Sequence, residues 1–142
     1  MALLDESSSN PVVARFARRL RLHPDLPLIA SPQRTWTTRQ VAAAAETWAE
    51  AFAIGDLEPG DVVAWSARGA TFLAGWLGAL SRGLAPILID AATPIEEVRR
   101  VADALAARAI ASSSAGLAEL ESFGQLEMLP TRPLGPVRRL FE

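Results

Sequence analysis

The sequence predicts a doubly wound α/β fold, a mainly parallel sheet with helices on both faces. Two observations carry this. From Val62 to Ala111 the chain alternates strand, helix, strand, helix, strand, which makes two consecutive crossover units with right-handed connections. The strands Val62-Val63-Ala64-Trp65 and Pro86-Ile87-Leu88-Ile89 are continuous apolar runs, the pattern of strands covered on both faces. At 142 residues the chain has room for one core rather than two.

Residues 1–9 read as a flexible lead-in. Asn10-Pro11 then supplies a helix cap followed by proline at the first helical position. The helix is expected to run to about Leu22, with Val13, Phe16, Ala17 and Leu20 inward and Arg15, Arg18, Arg19 and Arg21 outward. Leu28-Ile29-Ala30 and Thr35-Trp36-Thr37 flank turn residues and predict a small hairpin. Thr37 and Gln40 form a capping box for a helix over about Thr38 to Ala53. Its buried stripe is Val41, Ala45, Trp48 and Phe52, and Gly55 is expected at the left-handed position after its end.

Pro59-Gly60-Asp61 is a turn into the first parallel strand. The next helix, about Ala70 to Arg82, is apolar nearly all round. Gly75 and Gly78 weaken it unless their missing side chains allow close approach, which places it in the interior against the sheet, and Gly83 closes it. After Pro86 to Ile89, Thr93-Pro94-Ile95-Glu96 reads as a second capping box. That helix is expected to bury Ile95, Val98, Ala102 and Leu105 and to pair Glu96 with Arg100. Ala109-Ile110-Ala111 is a further strand, a short helix over about Gly116 to Glu121 follows, and Leu126 to Leu129 is a last strand. Residues 10–129 are thus one subdomain, and the proline-rich stretch 130–142 reads as a linker.

Composition excludes several classes of function. Sixteen acids against fourteen bases, without a basic stripe, give no footprint for nucleic acid. Every base is arginine, so no lysine is available for a phosphate or a Schiff base. Cysteine is absent and His23 is the only histidine, which excludes thiolate chemistry and a histidine zinc cluster. The longest apolar run, Phe72 to Leu80, is far short of the roughly 20 residues of a membrane helix. The first eleven residues do not read as a signal peptide, so a cytoplasmic location is expected.

Few residues suggest chemistry. The glycines after the first strand do not make a dinucleotide fingerprint; Gly75 and Gly78 read as packing residues. Ser112 to Gly116 places serines where backbone amides can cradle a phosphate, or where a helix needs a cap, and it lacks the lysine of a phosphate loop. Asp90 lies just past a strand's carboxyl end, where open α/β sheets bind ligands. It is equally a loop aspartate suited to accept backbone amides before Thr93. His23 reads as the end of the first helix, and Trp36, Trp48, Trp65 and Trp76 read as core whose indole N–H groups need partners.

The order of phrases resembles the first subdomain of the adenylate-forming superfamily, the acyl-CoA synthetases, aryl-CoA ligases and peptide-synthetase adenylation domains. Thr35-Trp36-Thr37 before an alanine-rich helix, then Leu57-Glu58-Pro59-Gly60-Asp61-Val62-Val63-Ala64, is similar to that family's opening. Phe72 to Gly83, Ala85-Pro86-Ile87-Leu88-Ile89-Asp90, Thr93-Pro94 to Arg99, and Ala107 to Ala111 continue the likeness. Where the family commonly has an asparagine after its first parallel strand, this chain has Ser66-Ala67-Arg68-Gly69.

The resemblance implies ATP and magnesium as cofactors of a parent enzyme. The family's phosphate loop, magnesium motif and adenylation lysine are not among these residues. No catalytic, cofactor-binding or metal-binding residue is therefore carried over, and the chain alone is expected to bind no cofactor. The expectation is a catalytically incomplete piece of an ATP-dependent acid–thiol ligase, which would meet the remainder of that enzyme, or a second copy of itself, through an exposed apolar face. Two other readings are a freestanding interaction module and a small α/β enzyme acting near Asp90.

Overall fold

The computed structural model describes residues 4–32, 34–113 and 125–129. Helix α1 (Pro11–Leu22) leads to a hairpin of β1 (Pro27–Ala30) and β2 (Thr35–Thr37), and then to α2 (Thr38–Ile54). Strand β3 (Val62–Ala67), helix α3 (Gly69–Ser81), strand β4 (Ala85–Asp90), helix α4 (Ile95–Ala104) and strand β5 (Ala109–Ser112) follow, and β6 (Gln125–Met128) is the last described strand. The main sheet has the order β4-β3-β5-β6. Strands β4 and β5 flank β3 in parallel, and β6 adds antiparallel to β5.

Alternation along β3 divides the core. Val63, Trp65 and Ala67 face a cluster with α1, α2 and α3, while Ala64 faces a smaller one with Val98 and Ala102 of α4. Helices therefore cover both faces, as a doubly wound sheet requires. In α3, a side chain on Gly75 would lie 2.0 Å from Cζ2 of Trp65, and one on Gly78 would lie 2.6 Å from the Ala45 carbonyl oxygen of α2. The two glycines serve different neighbours: Gly75 admits the sheet's tryptophan, and Gly78 admits the backbone of α2 rather than the sheet.

Local side-chain chemistry starts helices α1 and α2. Asn10 accepts the Val12 and Val13 amides at 2.9 and 3.3 Å, and the Thr37–Gln40 capping box forms in both directions. His23 caps α1 through its backbone amide, which donates to the Arg19 carbonyl at 2.7 Å. Of the expected lead-in, Leu4 is buried in the core and Glu6 pairs with Arg21. Trp36, Trp48 and Trp65 are buried and Trp76 is half-buried. Trp65 donates to the Phe72 carbonyl at 2.9 Å, whereas buried Trp36 Nε1 has no acceptor among the described residues.

Several expectations are corrected. Thr93 to Glu96 starts a helix without a capping box: Pro94 is itself the cap residue and no side-chain cap bond forms, because Thr93 lies one residue too early. Ile95 and Leu105 are half exposed, leaving Val98 and Ala102 as the buried pair of α4. Arg100 pairs with Glu97, not Glu96, and Arg99 makes two 2.8 Å bonds to Glu127 of β6. The left-handed residue after α2 is Asp56 (φ 58°), while Gly55 has φ −77°. Among the described residues β4 is an edge strand, with only β3 beside it, and Leu88 is 49% exposed. The short helix near Gly116 and the linker from Pro130 lie outside the described residues.

Candidate functional site

Register places the site. Ala67 of β3 lies beside Asp90 of β4, so the two strands end flush at their carboxyl ends. The chain leaves β3 through Arg68 and turns into α3 at Gly69, whose φ of +61° is the left-handed conformation glycine tolerates. It leaves β4 through Asp90, whose Oδ1 accepts the Ala92 amide at 2.8 Å while its carbonyl accepts the Thr93 amide at 3.0 Å. Between these exits lies an open cleft of about 290 Å³ lined by Ala67, Arg68, Phe72, Leu88, Ile89, Asp90 and Ala91.

The walls are mainly apolar, with one cation and one carboxylate at the rim. Among the described residues no serine, histidine or cysteine lines the cleft, so these residues offer no nucleophile–base pair. Asp90 occupies the edge expected of it and also makes the backbone turn expected of a loop aspartate. Arg68 and Phe72 were not singled out from the sequence. The rule that named Asp90 applies equally to Arg68, one residue past the end of β3, and Phe72 follows one turn into α3.

Ser113 is buried and its amide donates to the Ser66 carbonyl at 3.0 Å; Ser114 to Gly116 lie outside the described residues. His23 is exposed at the end of α1. The perturbed carboxyls sit on the surface away from the cleft. Hydrogen bonds from Arg21, Arg100 and Arg99 hold Glu6, Glu97 and Glu127 respectively below the ordinary glutamate range.

A family profile described as AMP-binding enzyme matches residues 16–133. The chain belongs to that family. No curated protein matches it in sequence. Solved structures of the family share its fold. The N-terminal subdomain of NpsA from Klebsiella oxytoca, in complex with 3-hydroxyanthranilyl-AMSN, superposes with a TM-score of 0.62 at 23% identity over 68% of this chain. The nonribosomal peptide synthetase FmoA3, in its alpha-methyl-L-serine-AMP bound form, gives 0.65 at 27% over 70%. O-succinylbenzoate Coenzyme A synthetase (MenE) from Bacillus subtilis, in complex with AMP, gives 0.62 at 18% over 70%.

The chain spans 25% of the NpsA subdomain, 11% of the FmoA3 chain and 26% of MenE. The described residues do not by themselves fit ATP and magnesium. The sequence has no lysine, and among the described residues the cleft has a single carboxylate and no group of three or more His, Asp or Glu gathers. No helix among the described residues is long and apolar enough to cross a membrane.

Proposed function

We propose that this chain is the N-terminal piece of an ATP-dependent acyl- or aryl-acid ligase of the adenylate-forming class, working in the cytoplasm and catalytically incomplete alone. The observation that carries the reading is the family match over residues 16–133, laid on three parallel strands of which β3 and β4 end at the Asp90 cleft. The structures it resembles include a nonribosomal peptide synthetase bound to alpha-methyl-L-serine-AMP and a Coenzyme A synthetase in complex with AMP. In the proposed enzyme this piece supplies the β4-β3-β5 layer, and the Asp90 edge contributes an apolar wall with Arg68 and Asp90 at its rim.

Adenylation places developing charge on phosphate oxygens, and rate depends on groups fixed to receive that charge. With no lysine, and no group of carboxylates for magnesium among the described residues, the chain is expected to release no pyrophosphate from ATP when carboxylic acids are added. A coupled assay on pure protein across a panel of aliphatic and aromatic acids tests this. Acid-dependent release above the no-protein rate would show that the chain is a complete enzyme.

A further inference from the structure

Two exposed stripes of opposite charge lie on helices that pack over the same face of the sheet. On α1, Arg15, Arg18 and Leu22 are exposed; on α2, Glu46, Glu50 and Ile54 are. Neither the two arginines nor the two glutamates form an ion pair among the described residues. Glu6, the acid that feels the charge of Arg18, is already bonded to Arg21.

Each stripe is at odds with its own helix. α1 contains no acid, so Arg15 and Arg18 stand one turn apart with no opposite charge at helical spacing. α2 has no base in its last turn, and Glu46 and Glu50 stand at i,i+4, where like charges destabilise a helix. The two patterns match in order and length. Toward the carboxyl end each runs charge, charge, apolar, and at the helical rise the stripes span about 11 and about 12 Å. Laid parallel, they set Arg15 by Glu46, Arg18 by Glu50 and Leu22 by Ile54. Leu22 and Ile54 are 46% and 77% exposed, so the same alignment removes apolar surface from water.

We propose that the partner of these stripes is a second copy of this chain, with α1 of each copy lying along α2 of the other about a two-fold axis. Such an axis repeats every contact, so the six side chains make two equal seams and neither stripe is left unmatched. A partner of one charge does not satisfy both: an acidic segment serves α1 and is repelled by α2. Complementary charge of this kind fixes register and excludes wrong partners. The pairing goes beyond the ligase reading and does not depend on it.

Sedimentation equilibrium of the full chain across a concentration series tests the pairing. The wild type is expected to dimerise reversibly, and raising sodium chloride from about 50 to about 500 mM is expected to weaken the dimer about tenfold or more. Two charge-reversed variants separate this face from any other: Arg15→Glu with Arg18→Glu, and Glu46→Arg with Glu50→Arg. All four positions are exposed, so both variants are expected to keep the circular dichroism spectrum of the wild type. Each variant alone presents like charges to its own copy and is expected to dimerise about tenfold more weakly or less well still, while an equimolar mixture of the two restores association. A wild-type chain that stays monomeric at about 1 mM would overturn the pairing. So would variants that dimerise as the wild type does, or a mixture that stays as weak as its components. If a variant does not fold, the salt series on the wild type decides, and a dimer that salt leaves unchanged overturns the proposal.

Discussion

The two faces of one sheet are built to different scales. On the face covered by α1, α2 and α3, the core holds Trp36, Phe52, Trp65 and Leu77, all almost fully buried. On the face covered by α4 it holds Ala64, Ala102, Ala107, Val98, Ile89 and Ile110, and α4 leaves Ile95 and Leu105 half exposed at its ends. The same strand supplies both, so the difference comes from what lies opposite. Burial contributes in proportion to the apolar area removed from water, so most of the stability resides on the three-helix face. The α4 face is completed by surface ion pairs such as Arg99–Glu127.

Substitutions can break this contrast, the largest first. Trp65→Ala empties the centre of the large face, removes the T-shaped contact with Trp48 and takes the donor from the Phe72 carbonyl, and should cost about 3–5 kcal/mol. Urea unfolding measures it; a loss under about 1 kcal/mol would mean that the face collapses around the gap. Gly78→Leu should cost on the order of 1–3 kcal/mol or more, although leucine favours helices, because α2 backbone stands where the side chain must go. An unchanged melting temperature would show that α2 and α3 separate freely.

Val98→Ala on the smaller face removes two buried methyl groups and should cost about 1.5 kcal/mol. A cost equal to that of Trp65→Ala would erase the contrast. The smallest effect concerns acid. Glu6, Glu97 and Glu127 are held below their ordinary range by their arginine partners, so the stability they contribute is present above that range and is lost as pH falls through the lowered folded values. Their exposure keeps the effect slight. Glu127→Gln should leave the neutral melting temperature within error and make its decline in acid slightly shallower, as thermal melts at stepped pH will show.

What the sequence made legible was local. The Asn10 cap and the Thr37–Gln40 box each involve atoms within three residues, and both formed. The parallel order of β3, β4 and β5 follows from helical crossovers that leave few alternatives. Thr93 to Glu96 carries the same box pattern as Thr37 to Gln40 and fails, because the Asp90 turn and Pro94 as cap residue put Thr93 one residue outside the helix. That β4 is an edge among the described residues was hidden, since a continuous apolar run reports a strand's own residues and says nothing of how many neighbours it has. In the site, Asp90 was found by an edge rule, while Arg68 and Phe72 emerged when register set the ends of β3 and β4 side by side.

The ring of Trp65 lying over Gly75 ties the histories of two positions together. A lineage that first replaces Gly75 drives a side chain into the indole, and one that first shrinks Trp65 opens a void that a larger residue at Gly75 can then fill. The second order passes through a loosened but foldable intermediate and the first through a jammed one. Divergence in this part of the core therefore has a direction, with β3 changing before α3.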